Sequence, residues 1–147
     1  MRSLIQSPVI EHILLGVDGS ASSARARDYA AYLAINQQAR VTVVHAFMES
    51  PAASNEPGQE SMDALLHHAH SLVFDVVESL RTAGVEHVDQ IVREGPAVDV
   101  VLQAAEQSKV DMIVIGARGT SERDGVIQGS VSAAVTQRAK CPVLVVK

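Results

Sequence analysis

Five short apolar runs without polar alternation, separated by stretches of helical periodicity, constrain this chain more than any other feature. They are Ile13-Leu14-Leu15-Gly16-Val17, Val41 to Phe47, a weaker run from Val85 to Glu94, Asp111 to Gly116, and Pro142 to Val146. A strand with one wet face alternates apolar and polar residues, whereas a strand covered on both faces need not. Helical patterns fill the intervals: Ala21 to Gln38, Glu60 to Ala83, a third opening at Gly95-Pro96, and Ser130 to Ala139. Strands alternating with helices predict an α/β protein whose parallel sheet carries helices on both faces, a doubly wound fold. The 147 residues read as a single domain, with 1–10 as an N-terminal extension and 48–59 as the one long, mobile loop.

The helices carry their own signals. In the first, Ala26, Ala30, Leu33 and Ala34 recur at spacings of three and four, so a mostly alanine face can lie close against a sheet. In the second, Met62, Leu65, Leu66, Ala69, Leu72, Val73, Val76, Leu80 and Ala83 form the stripe, and Gly84 is the natural stop. In the third, Pro96 stands at the first helical position and Val98, Val101, Leu102 and Ala105 face inward.

Composition excludes several classes. Apolar residues make up 47% of the chain, too many for a disordered segment. The net charge of −5 argues against nucleic-acid binding, which needs a basic stripe. No run approaches the roughly 20 apolar residues that cross a bilayer, and Gln6 and Pro8 interrupt the start before a signal peptide could form. Cys141 is the single cysteine, so no internal disulfide can form and a reducing, cytoplasmic setting is expected. Ten of the acidic residues lie between Glu49 and Asp99 against only Arg81 and Arg93. The acidity is thus distant in sequence from the glycine loop, where an anion could still bind.

In open parallel sheets ligands bind at the carboxyl ends of strands, near the point where strand order reverses. That rule marks Asp18 and Gly116. After the fourth strand the chain runs Gly116-Ala117-Arg118-Gly119, then nine residues to Gly129-Ser130 where a helix begins. Glycine removes the Cβ that would block a ligand, and a helix N-terminus offers unpaired N–H groups and roughly half a positive charge. Ser130 and Ser132 can add hydroxyl donors. Each hydrogen bond to a charged group contributes about 1.5–3 kcal/mol, so converging amides could hold a polyphosphate without lysine. The same glycines could be simple turns. No Gly-Lys-Ser/Thr and no Gly-x-Gly-x-x-Gly after the first strand is present, which excludes the P-loop and the dinucleotide fingerprint.

The glycine pattern Gly116, Gly119, Gly129, Ser130 resembles the universal stress protein family, in its ATP-binding branch. Gly16-Val17-Asp18-Gly19-Ser20, Gly95-Pro96-Ala97, the Asp111–Gly116 strand, Gly129-Ser130-Val131-Ser132 and Cys141 to Val146 are similar to further family blocks. The resemblance covers Glu11 to Val146. It implies a five-stranded sheet ordered 3-2-1-4-5, of the adenine nucleotide alpha hydrolase-like type, with ATP, ADP or AMP at the ends of strands one and four. Gly116, Gly119, Gly129, Ser130 and the amides of Val131 and Ser132 would cradle the phosphates. Asp18 would lie near the ribose, Gly16 and Val17 beside the adenine, and Ala46 in the base pocket. Mg²⁺ would be held chiefly by phosphate oxygens, with Asp18 or Asp124 as possible ligands. A homodimer through 142–146 and a regulatory partner protein are also implied. Glu122 and Asp124 depart from the family pattern: carboxylates beside a polyphosphate are unfavourable unless Arg118 and Arg123 or a metal offset them. Nucleotide affinity is therefore expected to need Mg²⁺.

The remaining candidates have plainer readings. His67 and His70 share a helix face, but no further ligand completes a metal site, so a solvated face is expected. His45 reads as a packed core or strand-end residue rather than a catalytic one, and Cys141 as a small buried hydrophobe. Asp18 could cap the following helix instead of touching a ligand. No nucleophile is paired with a base. The expected function is an ATP-dependent regulatory switch, not an enzyme; a slow ATPase or nucleotidyl-transfer enzyme and a nucleotide-free dimerisation module are the alternatives.

Overall fold

The structure, a computed structural model, describes residues 4–48, 61–119 and 129–147. The elements run β1 (His12–Gly16), α1 (Ala21–Gln37), β2 (Arg40–Phe47), α2 (Met62–Ala83), β3 (Val88–Glu94), α3 (Ala97–Ser108), β4 (Met112–Gly116), α4 (Ser130–Arg138) and β5 (Val143–Val146). All five strands pair in parallel, in the order β3-β2-β1-β4-β5. The order reverses between β1 and β4, which places the switch point in the middle of the sheet.

Lack of polar alternation has its expected cause. Ile13 and Leu15 face the layer of α1 and α2, Leu14 faces that of α3 and α4, and all three are fully buried. Each contributes about 1.5–3 kcal/mol by leaving water. Ala26, Ala30 and Ala34 of α1 are buried against the central strands, where larger side chains would hold the helix away.

Strand and helix boundaries differ from the sequence reading where caps intervene. β3 begins at Val88 rather than Val85, because the Val85 N–H donates to the Leu80 carbonyl and closes the end of α2 after Gly84 (φ 113°). Pro96 is the N-cap of α3 (ψ 134°), one residue outside the helix, rather than its first residue. The deeply buried face of α3 is Val100, Val101 and Ala104, with Val98, Leu102 and Ala105 only partly buried; the predicted stripe is rotated from the observed one. β4 starts at Met112, since the Asp111 carboxylate accepts from the Glu11 and His12 N–H groups (2.8 and 2.9 Å) and ties it to β1. Residues 4–11 precede the sheet, with Leu4 and Ile5 exposed. The long loop expected at 48–59 lies outside the described residues except for Met48, which is exposed.

Candidate functional site

The first wall of the site is built where β1 runs into α1. Val17 continues the sheet, its N–H donating to the Val44 carbonyl (3.0 Å). The chain then turns at Asp18-Gly19, with Gly19 at φ 83°, a conformation that favours glycine. Ser20 caps α1 by accepting from the Ser23 N–H (3.1 Å), and Ser23 Oγ reaches back to accept from the Asp18 N–H (3.2 Å). The two serines therefore satisfy one another's neighbours reciprocally, as a capping box does. Asp18 Oδ1 accepts from the Ser20 N–H (2.9 Å). Asp18 is thus a turn residue ahead of the cap, and the cap itself is Ser20.

The second wall is the exit of β4. Gly116 packs directly on the first turn of α1: a Cβ there would lie 2.7 Å from Ser22 C and Ser23 N, closer than atoms can sit. Its missing side chain is what admits the helix, while its backbone also borders the cleft between the two walls. Beyond it, the Ala117 N–H donates to the Val146 carbonyl (2.7 Å), and the Ala117 carbonyl accepts from the Gly129 N–H and from Ser132 Oγ (2.7 Å). The Ser132 hydroxyl is buried and also donates to the Gly129 carbonyl (3.1 Å). Its one proton is therefore committed to the loop closure, and the second hydroxyl donor expected from Ser132 is not offered to a ligand.

Between these walls lies a cleft of about 100 Å³. Gly16, Val17, Asp18, Ala46, Gly116, Arg118, Gly119, Gly129, Val131 and Ser132 all line it. Of the residues singled out from sequence, Ser130 heads α4 but is not among the lining residues, and Asp124 lies outside the described ones. Sequence reading missed Ser23, Val44, Ala97, Val101, Ile115 and Ala117, which complete the lining. The signal for Val44 was available, because it stands two residues before Ala46 on the same face of β2. Val17, Val44, Val101 and Ile115 are nearly fully buried and make the floor apolar.

The helix ends around the cleft differ in kind. α1 and α2 carry serine side-chain caps, whereas α3 and α4 have none, with Pro96 and Gly129 at the capping position. The first residue of α3, Ala97, and the first turn of α4 both border the cleft. The two N-termini without side-chain caps thus bring the partly positive ends of their helices to one opening. Among the described lining residues Arg118 is the one cation and Asp18 the one anion.

The other candidates lie elsewhere. His45 Nδ1 donates to the Val17 carbonyl (2.7 Å), a strand-end bracing role as expected. His67, His68 and His70 are exposed, and no metal-binding cluster of His, Cys, Asp and Glu occurs among the described residues. Cys141 is partly rather than fully buried, and burial raises its thiol pKa, which keeps it a thiol at neutral pH. It borders a separate groove of about 390 Å³ between α3 along its length and the C-terminal end of α4, spanned by Arg138–Asp99 and Lys140–Glu106 ion pairs (3.6 and 2.8 Å). Among the described residues no helix is long and apolar enough to cross a membrane.

Sheet order and a cleft between the ends of β1 and β4 define a doubly wound α/β protein with a cleft at its switch point, where such sheets bind ligands. Residues 10–147 match the sequence model of the universal stress protein family, and the chain belongs to that family. It is 35% identical over 136 residues to a universal stress protein of Thermus aquaticus encoded in the QAH/OAS sulfhydrylase 3′ region, covering 92% of this chain and 97% of that one. Its fold is similar to that of the universal stress protein UspA from Lactobacillus plantarum, with TM-score 0.83, 25% identity, and coverage of 96% and 100%. A universal stress protein solved in complex with cAMP is also similar, with TM-score 0.71, 26% identity, and coverage of 95% and 99%.

Proposed function

We propose that this chain binds an adenine nucleotide in the β1/β4 cleft and uses its occupancy as a regulatory signal rather than as a substrate for turnover. One observation carries the reading: two helices without side-chain caps open onto a cleft whose floor is apolar. An apolar slot suits the faces of a heteroaromatic base, and helix N-termini suit phosphate. The similar universal stress protein in complex with cAMP supports the ligand class.

In this assignment Gly16, Val17 and Ala46 border the base, Asp18 faces the ribose, and Gly119, Gly129 and the N–H groups of Ser130, Val131 and Ser132 receive phosphate. Gly116 acts by letting α1 approach. ATP is the ligand we favour, with Mg²⁺ held by its phosphate oxygens. Arg118 and Asp18 cancel one another, so the described lining has no surplus of positive charge for a triphosphate. The same balance favours a second reading in which a nucleoside monophosphate is the resident ligand without metal.

Native mass spectrometry of the purified protein tests the ligand class: a retained adenine nucleotide is expected, and an empty chain that takes up none on addition rejects it. A multiple-turnover phosphate-release assay separates binder from ATPase, with no release above background expected.

Dimerisation belongs to the same proposal. β5 is an edge strand, and Val143, Leu144 and Val145 are only partly buried there. An apolar edge needs cover, and a second copy supplies it symmetrically. A partner protein would then read the surface formed around the occupied site.

A further inference from the structure

The first turn of α1 holds the exit of β4 by a contact that neither the glycine motif nor the cleft lining includes. Ser22, which is buried, donates from Oγ to the Arg118 carbonyl (2.6 Å) and accepts from the Arg118 N–H (3.2 Å). Ser20 Oγ donates to the same carbonyl (3.2 Å). The absence of a side chain at Gly116 is what lets Ser22 come this close.

The consequence follows from peptide geometry. In a trans peptide the carbonyl of one residue and the N–H of the next point in opposite directions, and no cis bond occurs among the described residues. The Arg118 carbonyl is fixed toward α1, on one face of the sheet. The Gly119 N–H is therefore turned toward the opposite face, where α3 and α4 border the cleft. It donates to no group among the described residues. Without the serine contact the Arg118–Gly119 peptide could rotate by a half turn, and would then present a carbonyl oxygen where an anion is to bind.

We propose that Ser22 is a positioning residue that aims the Gly119 N–H at the ligand's phosphate. This rests on the nucleotide reading above and adds a role for a side chain outside the cleft. Ser22 acts through the peptide and touches no ligand. A purely structural serine would, when lost, weaken binding of every ligand alike. A serine that orients one phosphate donor affects only ligands that carry phosphate.

The test is isothermal titration of the wild type, Ser22→Ala and Ser22→Cys with AMP and with adenosine. Cysteine keeps the size of serine but bonds weakly, so it serves if the alanine variant folds poorly; circular dichroism and thermal melting check both. The proposal expects AMP affinity to fall about tenfold or more in each folded variant while adenosine affinity stays within about twofold of wild type. Unchanged AMP affinity, or equal losses for AMP and adenosine, overturns it. A wild-type chain that binds neither ligand instead overturns the nucleotide reading itself, and this inference with it.

Discussion

Gly116 shows how one missing carbon can fix a whole local arrangement. Its hydrogen lies where a methyl would meet the backbone of Ser22 and Ser23. Gly116→Ala must push α1 away from β4, and overpacking of this kind costs about 1–3 kcal/mol. Urea unfolding should show that loss with an unchanged slope; an unaltered midpoint would mean that α1 yields freely. His12 sets a second residue-scale expectation. Burial lowers its pKa below 6.5 and Arg40 lowers it further, against a backbone hydrogen bond at Ser108 and the weaker pull of Asp89 and Asp111. Its ring nitrogen Nε2 shares a hydrogen bond with Thr42 Oγ1 (2.6 Å). The folded state thus binds the proton less well than the unfolded chain does, so His12's contribution is present above pH 6.5 and lost as pH falls toward its folded pKa. Denaturant titrations from pH 8 to 5 should show wild-type stability declining faster than that of His12→Gln. Parallel curves would remove His12 from the account.

Whole elements were legible in the sequence because burial on both faces leaves a plain mark. The runs at 13–17, 41–47 and 111–116 are apolar without alternation, and each became a strand shifted by at most one residue at either end. The start of β3 was not legible. Val85 is as apolar and β-branched as Val88, yet its N–H is bonded back to the Leu80 carbonyl at the end of α2 and the strand begins only at Val88. The same holds at the site. Glycines and Asp18 advertise a strand-end cleft, but the serines of α1 advertise only a helix start. That Ser22 reaches across to Arg118 depends on a contact 96 residues apart in sequence, which no local pattern encodes. Sheet order came from the family resemblance, since periodicity alone cannot rank strands. The element on which the proposed binding rests most is α4, which begins at Ser130 after Gly129 and has no side-chain cap. Gly129 is buried and lines the cleft, so Gly129→Val should fill the opening and abolish nucleotide binding while sparing the fold. Retained affinity with unchanged circular dichroism would move the phosphate site elsewhere.

At the scale of the whole molecule, the sheet has one buried switch point and one apolar edge, and the proposed function uses both. Val145→Lys would place a charge on that edge, so sedimentation should show the wild type as a dimer and the variant as a monomer. A monomeric wild type would leave β5 to another partner. The segment from Glu49 to Asp99, ten acids against Arg81 and Arg93, more than accounts for the chain's net −5, and the remaining residues are net positive. With Arg118 and Asp18 as the charged residues of the described lining, a triphosphate in the proposed site is expected to need Mg²⁺ and a monophosphate is not. The most direct test of the central claim is calorimetric titration of the purified protein with ATP and AMP, each with Mg²⁺ and with chelator. Saturable one-to-one binding of both is predicted, with ATP affinity falling in chelator and AMP affinity unmoved. No saturable binding of either nucleotide under any of the four conditions would contradict the account.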